Sequence, residues 1–143
     1  MMTYVWVALG SALGGLARYA LTRWTLSWSE AMPWGTVLIN VVGCFVIGFF
    51  GTYTLASGRH ATAENMRLFV MVGICGGFTT FSSFSLQTFD LVREGAWTRA
   101  MLNVLLSVTL CFVAVGAGHL TAHTLVSRTA IAQTETEEGM EVS

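Results

Sequence analysis

Thirteen residues concentrate the chemistry of this chain: Gly73-Ile74-Cys75-Gly76-Gly77-Phe78-Thr79-Thr80-Phe81-Ser82-Ser83-Phe84-Ser85. Five hydroxyls are interleaved with phenylalanines directly after Gly76-Gly77, inside a run free of charge from residue 68 to 89. Hydroxyls donate hydrogen bonds, and the edge of an aromatic ring carries partial positive charge, so Phe81 and Phe84, three apart on one helical face, could coordinate an anion without any formal positive charge. The glycine pair predicts a helix break. At membrane depth such a break persists only where it is buried in protein or lines an ion or water path.

Other polar residues lie in the apolar runs that flank this motif. Thr36, Asn40 and Gly43 share one helical face, and the Asn40 amide offers two donors to an anion, or else bonds neighbouring helices together. Asn103, Ser107 and Cys111 recur every four residues and form a polar track. Cys44, Cys75 and Cys111 have no pair spacing that suggests a metal site or a disulfide. His119 and His123, one helical turn apart, read as an interfacial polar pair, with metal binding as the alternative.

The elements that must position these groups follow from composition. The chain has 143 residues, 54% hydrophobic and only 10% charged, with a mean hydropathy of +0.65. A water-soluble domain averages about a quarter charged residues, so this is an integral membrane protein. A crossing needs roughly 20 mostly apolar residues, and the charge-free runs 1–17, 31–58, 68–89 and 100–127 predict four helical spans near 3–23, 34–56, 67–90 and 99–124. Trp6, Trp24, Trp28, Trp34 and Trp97 all fall near the ends of those spans, at headgroup depth. The first span lacks a basic leader and reads as retained. Residues 1–126 form one four-helix transmembrane domain in this reading, and 127–143, with four glutamates after the last arginine, a disordered acidic tail.

All seven positive residues are arginines. Even-numbered crossing places Arg59, Arg67 and Arg128 on one side against Arg18, Arg23, Arg93 and Arg99 on the other, almost no bias for orientation. Insertion both ways, with two copies pairing about an axis in the membrane plane, is therefore expected. Gly10, Gly14 and Gly15 in the first span, and Gly43, Cys44 and Gly48 in the second, would let helices approach closely, between copies or within one.

The motifs Gly-Gly-x-x-Arg (Gly14, Gly15, Arg18), Gly-Thr-x-x-x-Asn-x-x-Gly (Gly35, Thr36, Asn40, Gly43) and the run Gly73 to Ser85 resemble, in order, those of the Fluc/CrcB fluoride channels. The resemblance implies an all-α antiparallel, dual-topology homodimer in the bacterial inner membrane, with two fluoride pores and a structural sodium ion held by the backbone carbonyls of Gly76 and Thr79. It assigns Phe81 and Phe84 as pore phenylalanines, Asn40 as the pore amide, and Ser83 and Ser107 as hydroxyls on the path. Thr80 and Asn103 extend that lining, Asn103 and Gln87 standing where relatives often carry other side chains. Arg18 would add positive potential at a vestibule. The implied role is passive efflux of cytoplasmic fluoride, with no catalysis. The rival is a small proton-coupled exporter of the multidrug type, which needs a carboxylate inside the membrane; the acids here flank the spans or lie in the tail. A structural subunit without transport would not need so concentrated a polar motif.

Overall fold

The computed structural model describes residues 2–56 and 61–141. Arg59, one of the arginines in the orientation count, lies outside them. Helix α1 (Met2–Thr25) is followed by a single 3-10 turn (Leu26–Trp28) and α2 (Trp34–Ala56), with Pro33 just before its first turn. A helical N-terminus leaves its first N–H groups without carbonyl partners, so a proline there costs nothing. The third stretch is composite: α3 (Ala61–Arg67), a π-helical segment Leu68–Cys75 with wider i→i+5 turns, the single turn α4 (Gly76–Phe78), and then α5 (Phe81–Arg93). The last helix, α6, runs Trp97–Glu141. Among the described residues there is no strand.

Three of these stretches, Trp34–Leu55, Glu64–Arg93 and Trp97–Thr129, are long and apolar enough to cross a membrane by length and composition. Much of the apolar surface of these stretches and of α1 faces outward: Phe112 is 77% exposed and Leu13 of α1 54%. A fold whose outer faces carry such side chains, and whose few fully buried residues include Asn103 and Thr25, inverts the pattern of a water-soluble core.

Two differences from the sequence reading concern where helices stop. The glycine pair is not the break. Gly76 has φ −64° and ψ −37°, ordinary helical values. The chain leaves the helix two residues later, where Thr79 (φ −77°, ψ 157°) and Thr80 (φ −152°, ψ 109°) are extended. Gly77 serves packing instead, since a Cβ on it would meet the Ser11 carbonyl and Gly15 of α1, whereas Gly76 has open space around it. The second difference is the tail, expected to be disordered from residue 127, where the backbone continues helically to Glu141. Ala, Gln, Met and Glu are good helix formers, and extending an existing helix needs no new nucleus.

Small residues bring the helices together within one chain. On α1, Gly10 and Gly14 lie against the backbone of Phe69, Gly73 and Ile74. Between α2 and α6 the fit is reciprocal: Gly48 abuts the carbonyl of Val115 and Gly118 that of Phe45. Gly43 holds the Thr79 methyl, which seats the break against α2. Gly118→Val should therefore cost roughly 1–3 kcal/mol of overpacking, read as a lower melting temperature of the purified protein. An unchanged melting temperature would mean that α2 and α6 are not packed this closely.

Candidate ion pathway

The break is built by hydrogen bonds taken over from the backbone. In an unbroken helix the Thr80 N–H would donate to the Gly76 carbonyl and the Ser83 N–H to that of Thr79. Here the Thr80 N–H donates to Asn40 Oδ1 (2.8 Å), and Asn40 Nδ2 donates back to the Thr80 carbonyl (3.2 Å). The Ser83 N–H donates to Thr80 Oγ1 (3.1 Å), the N-cap geometry that starts α5. The carbonyls of Gly76 and Thr79 are thereby released from the helical ladder. The Cys75 carbonyl is not, since it accepts from both the N–H and the hydroxyl of Thr79 at 2.9 and 2.8 Å.

Thr80 is buried and fully engaged: its hydroxyl donates to Ser83 Oγ (3.0 Å) and lies 3.2 Å from Ser82 Oγ. Two groups keep donors in reserve. One amide hydrogen of Asn40 is left over after the bond to Thr80, and the Ser83 hydroxyl accepts without spending its own proton.

Beside the break lies a cavity of about 390 Å³ between α2, the third stretch and α6. Its wall includes Asn40, Gly76, Thr79, Thr80, Phe81, Phe84 and Ser107, so seven of the residues singled out from sequence share one space. Among the described residues no charged side chain lines it. The Phe81 and Phe84 rings stand 5.5 Å apart at 47°. Phe84 is half-buried, while Phe81 is 79% exposed at the open side.

Three of the expected residues are elsewhere. Ser83 is turned toward Thr80 and is not part of the cavity wall. Asn103, 1% exposed, sits behind it as a strap between α6 and α5: Ser107 Oγ donates to Asn103 Oδ1 (3.4 Å), Asn103 Nδ2 to Thr88 Oγ1 (2.8 Å), and Thr88 Oγ1 to the Phe84 carbonyl (2.7 Å). The 3.4 Å link is long for a hydroxyl donor, so Ser107 can turn its proton toward the cavity at small cost. Arg18 is half-buried on α1, outside the cavity wall and without a hydrogen-bond partner among the described residues. The sequence reading missed Thr88; its place one turn beyond Phe84 was the available signal. It also missed that Cys44, Cys75 and Cys111 all border the cavity, as free thiols. Gln87 carries a buried Oε1 without a hydrogen-bond partner.

The family model described as CrcB-like protein, Camphor Resistance (CrcB), matches residues 5–119, and that stretch contains every element of the cavity. The chain belongs to the CrcB family. Among its relatives, a protein of Methylobacterium radiotolerans is 57% identical over 137 residues, covering 95% of this chain and 96% of its own length. One of Gluconobacter oxydans is 59% identical over 134 residues (92% and 93%), and one of Methylocella silvestris 56% over 122 residues (85% and 93%). All three bear the name fluoride-specific ion channel FluC. The CrcB match ends at residue 119, so the whole acidic C-terminal stretch lies beyond it.

Proposed function

We propose that this chain is a fluoride-selective channel that lets cytoplasmic fluoride leave a bacterial cell passively, as a multi-pass protein of the inner membrane. The observation that carries the reading is the uncharged, donor-bearing cavity at the helix break, in a chain so similar to proteins named fluoride channels. Fluoride is small, strongly hydrated and an avid hydrogen-bond acceptor. Amide and hydroxyl hydrogens together with aromatic edges replace its water in a narrow lining, where larger halides fit poorly. In this reading Asn40 and Ser107 donate from the wall, Phe81 and Phe84 offer ring edges, and Thr80 fixes the lining by holding the break. Ser83 and Asn103 support it from behind, and Arg18 adds positive potential toward one mouth.

The finer architecture in this proposal has four crossings, α1 included, and two oppositely inserted copies. A 24-residue α1 is about 36 Å long, enough for the hydrocarbon core. The open side of the cavity and the exposed Phe81 support a partner copy as the missing wall. The released carbonyls of Gly76 and Thr79 are hard oxygen ligands, and the open space beside Gly76 leaves room for an ion, so the residues present fit a sodium ion on the two-fold axis. When bound, sodium would supply a structural positive charge that ties the two breaks together.

The deciding experiment is efflux from liposomes containing the purified protein. Fluoride should leave rapidly down its gradient and chloride hardly at all. Comparable chloride flux, or an absolute need for a proton gradient, rejects the channel reading in favour of a proton-coupled exporter. Topology is tested separately. C-terminal reporters on the unmodified chain should report both orientations, and two or three lysines added to residues 24–32 should force most copies one way; a single orientation without added lysines would rule out dual topology.

A further inference from the structure

We infer that His119 and His123 on α6 form a binding site for a divalent transition metal of the copper, nickel or zinc class, separate from the ion pathway. The first argument is the state of the His119 ring. Thr52 of α2 lies 2.9 Å from the Gly48 carbonyl, and a carbonyl only accepts, so the single hydroxyl proton of Thr52 is committed there. The same Thr52 oxygen is 2.8 Å from His119 Nδ1. The arrangement in which Thr52 donates to the Gly48 carbonyl and accepts from His119 Nδ1 satisfies all three groups, and it puts the hydrogen of His119 on Nδ1.

The consequence is that Nε2 of His119 is left with a free lone pair. An imidazole that donates one ring N–H to an oxygen while the other nitrogen stays bare is the arrangement seen in metal-ligating histidines, where the outer bond fixes both the tautomer and the ring direction. The second ligand is one turn along. The His119 and His123 rings are 6.3 Å apart at 38°, a separation that a metal with bonds of about 2 Å to each nitrogen bridges with small side-chain turns.

Location makes the site reachable. His119 lies 22 residues beyond Trp97, or about 33 Å along the helix, which puts both histidines at the headgroup layer if Trp97 marks the opposite one. Both are exposed, and a groove of about 740 Å³ lined by Thr52, Gly116 and His119 opens beside the first of them. Two neutral imidazoles with water suit copper, nickel or zinc rather than the hard cations that prefer oxygen. Neither histidine nor Thr52 touches the cavity at the break, so the site stands whether or not the fluoride reading does.

The test is Cu²⁺ added to the purified full-length protein in detergent, followed by electron paramagnetic resonance, in which coupling to imidazole nitrogens can be counted. One ion per chain with two nitrogen ligands is expected. His119→Ala and His123→Ala should each abolish the two-nitrogen pattern, and His60→Ala, the remaining histidine, should keep it. Thr52→Val leaves both ligands in place yet removes the oxygen that orients His119, and should weaken copper binding about 10- to 100-fold. Size-exclusion profiles show whether each variant is folded, and His119→Gln and His123→Gln replace any alanine variant that is not. A two-nitrogen pattern that survives loss of either histidine, or that disappears with His60, overturns the site. So does failure to bind copper at all, and an unchanged affinity in Thr52→Val overturns the role given to the threonine.

Discussion

Asn40→Ala is expected to abolish fluoride efflux, with a loss of at least about 100-fold. Asn40 meets both the N–H and the carbonyl of one buried residue, Thr80, forty positions away. Truncation leaves two backbone groups without partners, at about 1–3 kcal/mol each. The chain has a cheap remedy, because the Thr80 N–H can return to the Gly76 carbonyl. That closes the break, returns the Gly76 carbonyl to the helical ladder and rotates Phe81 and Phe84 away from the cavity. Asn40→Asp separates the two contributions: a carboxylate still accepts from the Thr80 N–H but cannot donate, and it places negative charge in the wall of the proposed path. Its protein should fold and conduct almost no fluoride. Efflux near the natural rate in Asn40→Ala would mean that the break holds without the amide.

The second large effect is expected at the ring pair. Phe81→Ile and Phe84→Ile keep apolar bulk and remove the positive ring edge. An edge contact of about 1.5 kcal/mol withdrawn from the highest barrier slows passage about tenfold, and the double variant should lose most of the flux. Size-exclusion and liposome efflux together give the answer. Folded variants with undiminished flux reject the pore assignment, whereas variants that no longer fold would show the rings to be packing residues.

The membrane class and the apolar helices were legible, because a scarcity of charge is a property of composition, and the hydroxyl cluster pointed to the stretch where the helix is in fact interrupted. The start of the helix at Trp34 was legible since proline and tryptophan mark it. The exact break was not. Gly76-Gly77 is the stronger local signal, but what unwinds the helix is a distant amide that outcompetes the ladder, and no local pattern records which backbone group Asn40 will reach. Asn103 shows the same limit: its four-residue spacing with Ser107 was visible, while its turn away from the cavity depends on Thr88 of another helix. Beyond residue 127 composition argued for disorder, where helix propensity and an existing helix prevailed in the backbone.

The bond between Asn40 and Thr80 also bears on the order in which the protein is made. Asn40 emerges from the ribosome forty residues before its partner, on a helix that needs no later segment to form its own backbone bonds. When residues 76–83 enter the bilayer, an unsatisfied kink there would be costly, and the uninterrupted helix would be the default. A previously inserted α2 presents a donor and an acceptor to that stretch as it arrives. The bend is thus templated by an earlier part of the same chain, and a permuted version in which the 34–56 segment is synthesised last would have to insert the third stretch straight and bend it afterwards.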